Sequence, residues 1–131
     1  MVRILALFAL ALATPVSAKP LTVRMGETWL FTVRHGAPAE ARKVAPAAAP
    51  APGQLKVTLQ PLFGATMTVT NASRFDYAYR ATLVLPTGAT GTAKSCVVPA
   101  NGKTAIEQWT KPLAAVRLDH FKPAPAGALC P

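Results

Sequence analysis

Leu55-Lys56-Val57-Thr58-Leu59-Gln60 is followed by a break at Pro61 to Gly64 and then by Ala65-Thr66-Met67-Thr68-Val69-Thr70. On each side of the break apolar and polar residues alternate one for one. A period of two places Leu55, Val57 and Leu59 on one face of a strand and Ala65, Met67 and Val69 on one face of the next. Two one-sided strands separated by Pro and Gly predict antiparallel pairing over a shared core.

The same alternation recurs outward from this pair. Glu27 to Arg34 sets Trp29, Phe31 and Val33 on one face, and Asp76 to Leu85 does so for Tyr77, Tyr79, Ala81, Leu83 and Leu85. Weaker runs cover Ala93 to Val98, Thr104 to Trp109 and Ala115 to Phe121. In the last run Val116, Leu118 and His120 share parity, which predicts His120 at the rim or in the core, while Asp119 points to the other face. The total is about seven strands. The breaks between them, Asn71-Ala72-Ser73, Pro86-Thr87-Gly88, Pro99 to Gly102 and Lys111-Pro112, are turn chemistry and too short for crossover helices. Asn71-Ala72-Ser73 also matches a glycosylation sequon, and is read as a turn former. No stretch after the N-terminus shows a capped helical period, since the Ala-rich segment Ala37 to Ala51 is interrupted by Pro38, Pro46 and Pro50.

An all-β fold follows, as a sandwich of two sheets or a small barrel. Strand count and turn spacing favour a small antiparallel immunoglobulin-like β-sandwich. The antibody hallmark of a long inter-sheet disulfide is missing, because Cys96 and Cys130 lie too close in sequence. Residues 37–53, rich in Ala and Pro, are expected to form a flexible loop.

Before these strands lies a different kind of segment. Met1-Val2-Arg3 is basic, Ile4 to Ala13 is unbroken apolar sequence, and Thr14 to Ala18 ends it. This is the pattern of a signal peptide over 1–18, with cleavage between Ala18 and Lys19. The apolar run would rise about 15 Å as a helix, half of the roughly 30 Å hydrocarbon layer, so it is too short to span. The expected mature chain, 19–131, is one domain without a transmembrane segment, in the periplasm or secreted. In an oxidising compartment Cys96 and Cys130 are expected to pair and to tether a Pro-rich tail. Closing that loop is worth about 3–4 kcal/mol.

The chain has 14 Lys plus Arg against 5 Asp plus Glu; losing Arg3 leaves 13 against 5, a net charge of +8. A cationic surface outside the cytoplasm faces glycans, lipopolysaccharide and anionic lipid. Arg34, His35, Arg42 and Lys43 are the candidate contacts for such a polyanion or for a protein partner. Solubility alone also accounts for the charge.

The inventory for catalysis is thin. The sequence holds two His, no nucleophile elbow around Ser73 or Ser95, no carboxylate pair at motif spacing, no metal-ligand spacing and no Gly-rich phosphate loop. Tyr77 and Tyr79 share a face with Ala81 and Leu83 and are read as core, so no specific nucleic-acid surface is expected. Neither catalytic residues, cofactor nor metal is assigned. The expectation is a non-catalytic exported protein that binds an anionic envelope component or another exported protein, the latter as an inhibitor or accessory subunit. A small hydrolase using His35 or His120 is the alternative from another class.

Overall fold

The computed structural model describes residues 19–125, so the segment up to Ala18 that is expected to be a signal peptide, and Cys130, lie outside the described residues. Nine strands are described: β1 (Leu21–Arg24), β2 (Thr28–Arg34), β3 (Ala37–Val44), β4 (Leu55–Gln60), β5 (Ala65–Asn71), β6 (Tyr77–Val84), β7 (Thr90–Ala93), β8 (Lys103–Trp109) and β9 (Ala115–Pro123). They form two antiparallel sheets, in the order β1-β9-β6-β7 and β3-β2-β4-β5-β8. The fold is all-β and sandwich-like, with no helix among the described residues.

The alternating residues build the core as their period requires. Val23, Phe31, Leu55, Val57, Leu59, Met67, Val69, Ala81, Val116 and Leu118 are all buried in one cluster. Each large aliphatic or aromatic side chain removed from water contributes about 1.5–3 kcal/mol. On the outer face of the five-stranded sheet, threonines pair across strands, Thr28 with Thr58 at 3.1 Å and Thr70 with Thr104 at 2.9 Å. Such pairs add a few tenths of a kcal/mol to the ladder, about 0.2–1 each. The β1–β2 link ties the sheets together. Met25 N–H donates to Ala114 O at 3.0 Å beside one sheet, and Gly26 N–H donates to Leu59 O at 2.8 Å in the other.

Nine strands replace the seven expected. Leu21–Arg24 is a short edge strand. The expected strand over Ala93 to Val98 is displaced to Thr90–Ala93, and only Val98 still bridges to Tyr77. The largest correction falls within 37–53. Ala37–Val44 is a strand at the edge of its sheet, bonded only to β2, where a proline such as Pro38 removes no ladder bond the sheet needs. The loop is confined to 45–54, and it folds back instead of extending: Gly53 N–H donates to Ala72 O at 3.0 Å and the Lys56 ammonium to Pro46 O.

Two bulges interrupt the ladders. In the β2–β3 pair the register shifts between Leu30 and Thr32, with Glu40 at φ 51°. In the β6–β9 pair Ala78 faces Lys122 and Arg80 faces Asp119, so His120 and Phe121 together oppose Tyr79, with His120 at φ 51°. One extra residue reverses the parity of everything beyond it. Phe121 therefore turns inward, 3% exposed, and His120 turns outward. The expected core or rim position of His120 is corrected by this bulge. Phe121 becomes the hub of an aromatic cluster, 5.5 Å from Phe31, 6.1 Å from Tyr77 and 5.4 Å from Tyr79. Tyr77 and Tyr79 are core residues as the parity predicts. The Tyr79 hydroxyl is buried without a partner among the described residues. Burial and then the nearby Glu107 charge push this phenol well above its ordinary range.

Candidate functional site

The β2–β3 connection is a two-residue turn, and its sequence dictates its shape. His35 takes φ 52° and Gly36 takes φ 77°. Positive φ at both central residues is the hairpin turn whose twist matches the strands, and His is among the non-glycine residues that tolerate it best. A Cβ on Gly36 would lie 3.2 Å from the Phe121 carbonyl oxygen, so that glycine also permits a close approach. At this approach Phe121 N–H donates to Gly36 O at 2.8 Å. One hydrogen bond thus joins the hairpin tip of one sheet to the bulge of the other, and with it the chain's two histidines.

His35, Gly36, Ala37, Asp119, His120, Phe121 and Lys122 line a cleft of about 360 Å³. A second hollow of about 360 Å³ adjoins it, lined by Ala78, Tyr79, Arg80, His120 and Lys122. His120 and Lys122 stand on the ridge between the two. The single carboxylate here is already engaged. Arg80 donates to Asp119 through Nε at 2.9 Å and through Nη2 at 2.7 Å, a bidentate pair. Those hydrogen bonds hold the Asp119 carboxyl below its ordinary value, with smaller contributions from the Arg80 and His120 charges. His120 Nδ1 lies 3.4 Å from Asp119 Oδ1. The two neighbours were expected on opposite faces; the bulge brings them onto one.

An imidazole beside a carboxylate is part of what a hydrolase requires, but a nucleophile completes it. Among the described residues no hydroxyl or thiol side chain other than that of Tyr79 lines either hollow, and the Tyr79 ring is turned into the core. Ser95 Oγ donates to Tyr79 O at 2.6 Å, and Ser73 Oγ to Asn71 Oδ1 at 2.6 Å, both away from the histidines. Among the described residues no group of three or more His, Cys, Asp and Glu is placed to hold a metal ion. What the arrangement offers is an open cleft whose carboxylate is engaged by Arg80, with two imidazoles and an ammonium in its lining.

Of the four contacts expected from sequence, only His35 lines the cleft. Arg34 is paired with Glu40 at 2.8 Å, Lys43 stands 3.5 Å from Glu27, and Arg42 is exposed on β3 opposite Leu30. Sequence did not connect Lys122 or Arg80 with His35, because nothing in their spacing to His35 announces a contact across two sheets. Cys96 lies in the β7–β8 link, where its N–H donates to Glu107 Oε1 at 2.6 Å. Its expected partner Cys130 and the expected cleavage residue Ala18 lie outside the described residues; Lys19 is exposed at the start of them.

Asn71-Ala72-Ser73 forms a buried turn, as its turn reading predicts. Asn71 is fully buried; its Oδ1 accepts from Ser73 N–H at 3.0 Å and its Nδ2 donates to Phe75 O at 2.7 Å. No helix among the described residues is long and apolar enough to cross a membrane. Compared with known protein families, with curated proteins and with solved structures, the chain matches none.

Proposed function

We propose that this chain is an exported, non-catalytic β-sandwich that binds an anionic polymer of the cell envelope through the cleft between His35 and His120. The observation that carries this reading is the convergence of both histidines and Lys122 on one cleft whose only carboxylate is held by Arg80. A cleft with donors at its rim and its acid already neutralised favours negative charge over positive. The net charge of +8 expected after cleavage supports the same ligand class, because released counterions contribute to affinity. An immunoglobulin-like plan, in which turns gather at the ends of the sandwich, is part of this reading, as is a Cys96–Cys130 bond that holds the tail.

Salt-dependent retention of the purified protein on immobilised heparin tests it. Retention should fall steeply between low and moderate salt. His35→Ala and His120→Ala should each weaken it, and Lys122→Ala should lower the slope of log affinity against log salt by about one. Elution at the same point whatever the salt, or wild-type retention by all three variants, refutes the reading.

A further inference from the structure

Next to the histidine cleft, at the same end of the sandwich, lies a groove of about 420 Å³ lined by Val33, Pro52, Gly53, Ser73, Phe75 and Tyr77, with Arg74 and Asn101 at its margins. Val33 is on β2, two residues before His35 in the turn, and the Tyr77 ring meets Phe121 beside the bulge. Phe75 is 47% exposed, in a loop, with the Tyr77 ring centroid 6.2 Å from its own. The Arg74 guanidinium lies 5.5 Å from the Phe75 ring centroid.

An isolated exposed aromatic residue is unremarkable. Phe75 differs in how firmly it is held. Its carbonyl accepts from Asn71 Nδ2 at 2.7 Å and from Ser73 Oγ at 3.2 Å, and its N–H donates to Ser73 Oγ at 3.2 Å. Asn71 is fully buried and Ser73 nearly so. On the far side, Asn101 N–H donates to Ser73 O at 2.8 Å and Gly102 N–H to Asn71 O at 2.7 Å, so the β7–β8 link clamps the same turn. Both backbone polar groups of an outward-facing ring are thus fixed by buried side chains. The loop that carries the ring is therefore already ordered, and little backbone entropy is lost when something stacks on the ring.

We infer that the Phe75–Arg74 groove is a sugar-ring subsite, and that the polymer held by the histidine cleft is an acidic polysaccharide. Arg74 lies over one face of the Phe75 ring; the opposite face supplies an apolar platform for the ring face of a pyranose, and the Arg74 guanidinium supplies the fork that takes a ring carboxylate in two parallel hydrogen bonds. Asp76, the nearest acid in sequence, is engaged by the Ala100 N–H at 2.7 Å. This assignment rests on the anion-binding reading of the cleft: the cleft holds the polymer by charge, and the groove distinguishes a chain of sugar rings from a chain of phosphates.

The test compares two polymeric probes, polygalacturonate and inorganic polyphosphate, by equilibrium titration of the full protein at several salt concentrations. Phe75→Ala and Phe75→Leu should each bind polygalacturonate about tenfold more weakly, since truncating a central aromatic anchor costs at least that factor. Both should leave polyphosphate affinity within about twofold and leave the salt slope unchanged, because no charge is removed. Arg74→Ala should lower the polygalacturonate slope by about one. Unfolding temperatures of the variants should stay at the wild-type value, since the ring is exposed. Wild-type polygalacturonate affinity in both Phe75 variants, or equal losses on both polymers, overturns the sugar subsite while leaving the cleft in place. Wild-type protein that binds neither probe overturns the cleft reading, and the subsite with it.

Discussion

Replacing His120 with glycine and, separately, with alanine divides what the bulge does for the fold from what the imidazole does for the cleft. His120 sits at φ 51° with its side chain 58% exposed, and its one close polar neighbour is Asp119 at 3.4 Å. Losing that exposed contact costs little, about 0–1 kcal/mol, and the cost is common to both variants. The backbone distinguishes them. A residue with a Cβ in the left-handed region carries a penalty of about 1–2 kcal/mol that glycine escapes. Against this, glycine gives the unfolded chain more freedom, worth about 0.4–1 kcal/mol. The difference between these two ranges runs from about 0 to 1.6 kcal/mol, so glycine should be the more stable variant by about 0.8 kcal/mol at mid-range, which in a domain of this size is an unfolding temperature higher by about 3–6 °C. Differential scanning calorimetry of the two variants under identical conditions reads this directly. Both should lose the same affinity for immobilised heparin, since both lack the imidazole. An alanine variant as stable as the glycine variant, or more so, refutes the left-handed bulge and with it the geometry that unites the two histidines.

Other consequences concern the core, the ion pair and the cysteines. Phe121→Ala empties the centre of the aromatic cluster and should lower stability by about 3–5 kcal/mol in chemical denaturation; a loss below 1 kcal/mol would contradict Phe121 as an inward residue. The Asp119 carboxyl is lowered in the folded state, so its contribution is fully present above the ordinary value of 3.8 and is lost as pH falls below that value through the folded one. The stability gap between wild type and Asp119→Asn should accordingly be constant near neutrality and close in that acid window; a gap that widens as pH falls would overturn this. If Cys96 and Cys130 are bonded, reduction should destabilise the wild type by about 3–4 kcal/mol and leave Cys96→Ser unaffected. An unchanged melting curve on reduction would remove the tether.

The period-two runs of β2, β4, β5, β6 and β9 were legible because each places large apolar side chains at alternate positions. β3 was not, because Ala37–Val44 contains no large apolar residue before Val44 and has a proline as its second residue; its pairing comes from β2 alone, which the segment's own composition cannot reveal. The bulges were invisible for a related reason. Glycine would have marked a left-handed position, but His120 and Glu40 occupy these two, and neither punctuates a sequence. Missing the β9 bulge put His120 on the wrong face and separated it from Asp119. His35 was legible as a candidate contact beside Arg34, whereas its meeting with Lys122 and His120 depends on a backbone hydrogen bond between sheets. The Asn71 turn was readable from Asn and Ser alone; that it fixes an exposed ring at Phe75 was not, because burial decides it.

The joint histidine cleft is tested most directly by titrating the isotope-labelled protein with a short acidic oligosaccharide and following backbone amide and imidazole resonances. The account predicts that perturbations concentrate at His35, Gly36, His120 and Lys122, residues from two different sheets shifting together with one affinity. Perturbations confined to Arg42 and Lys43 on β3, or His35 responding without His120, would contradict it.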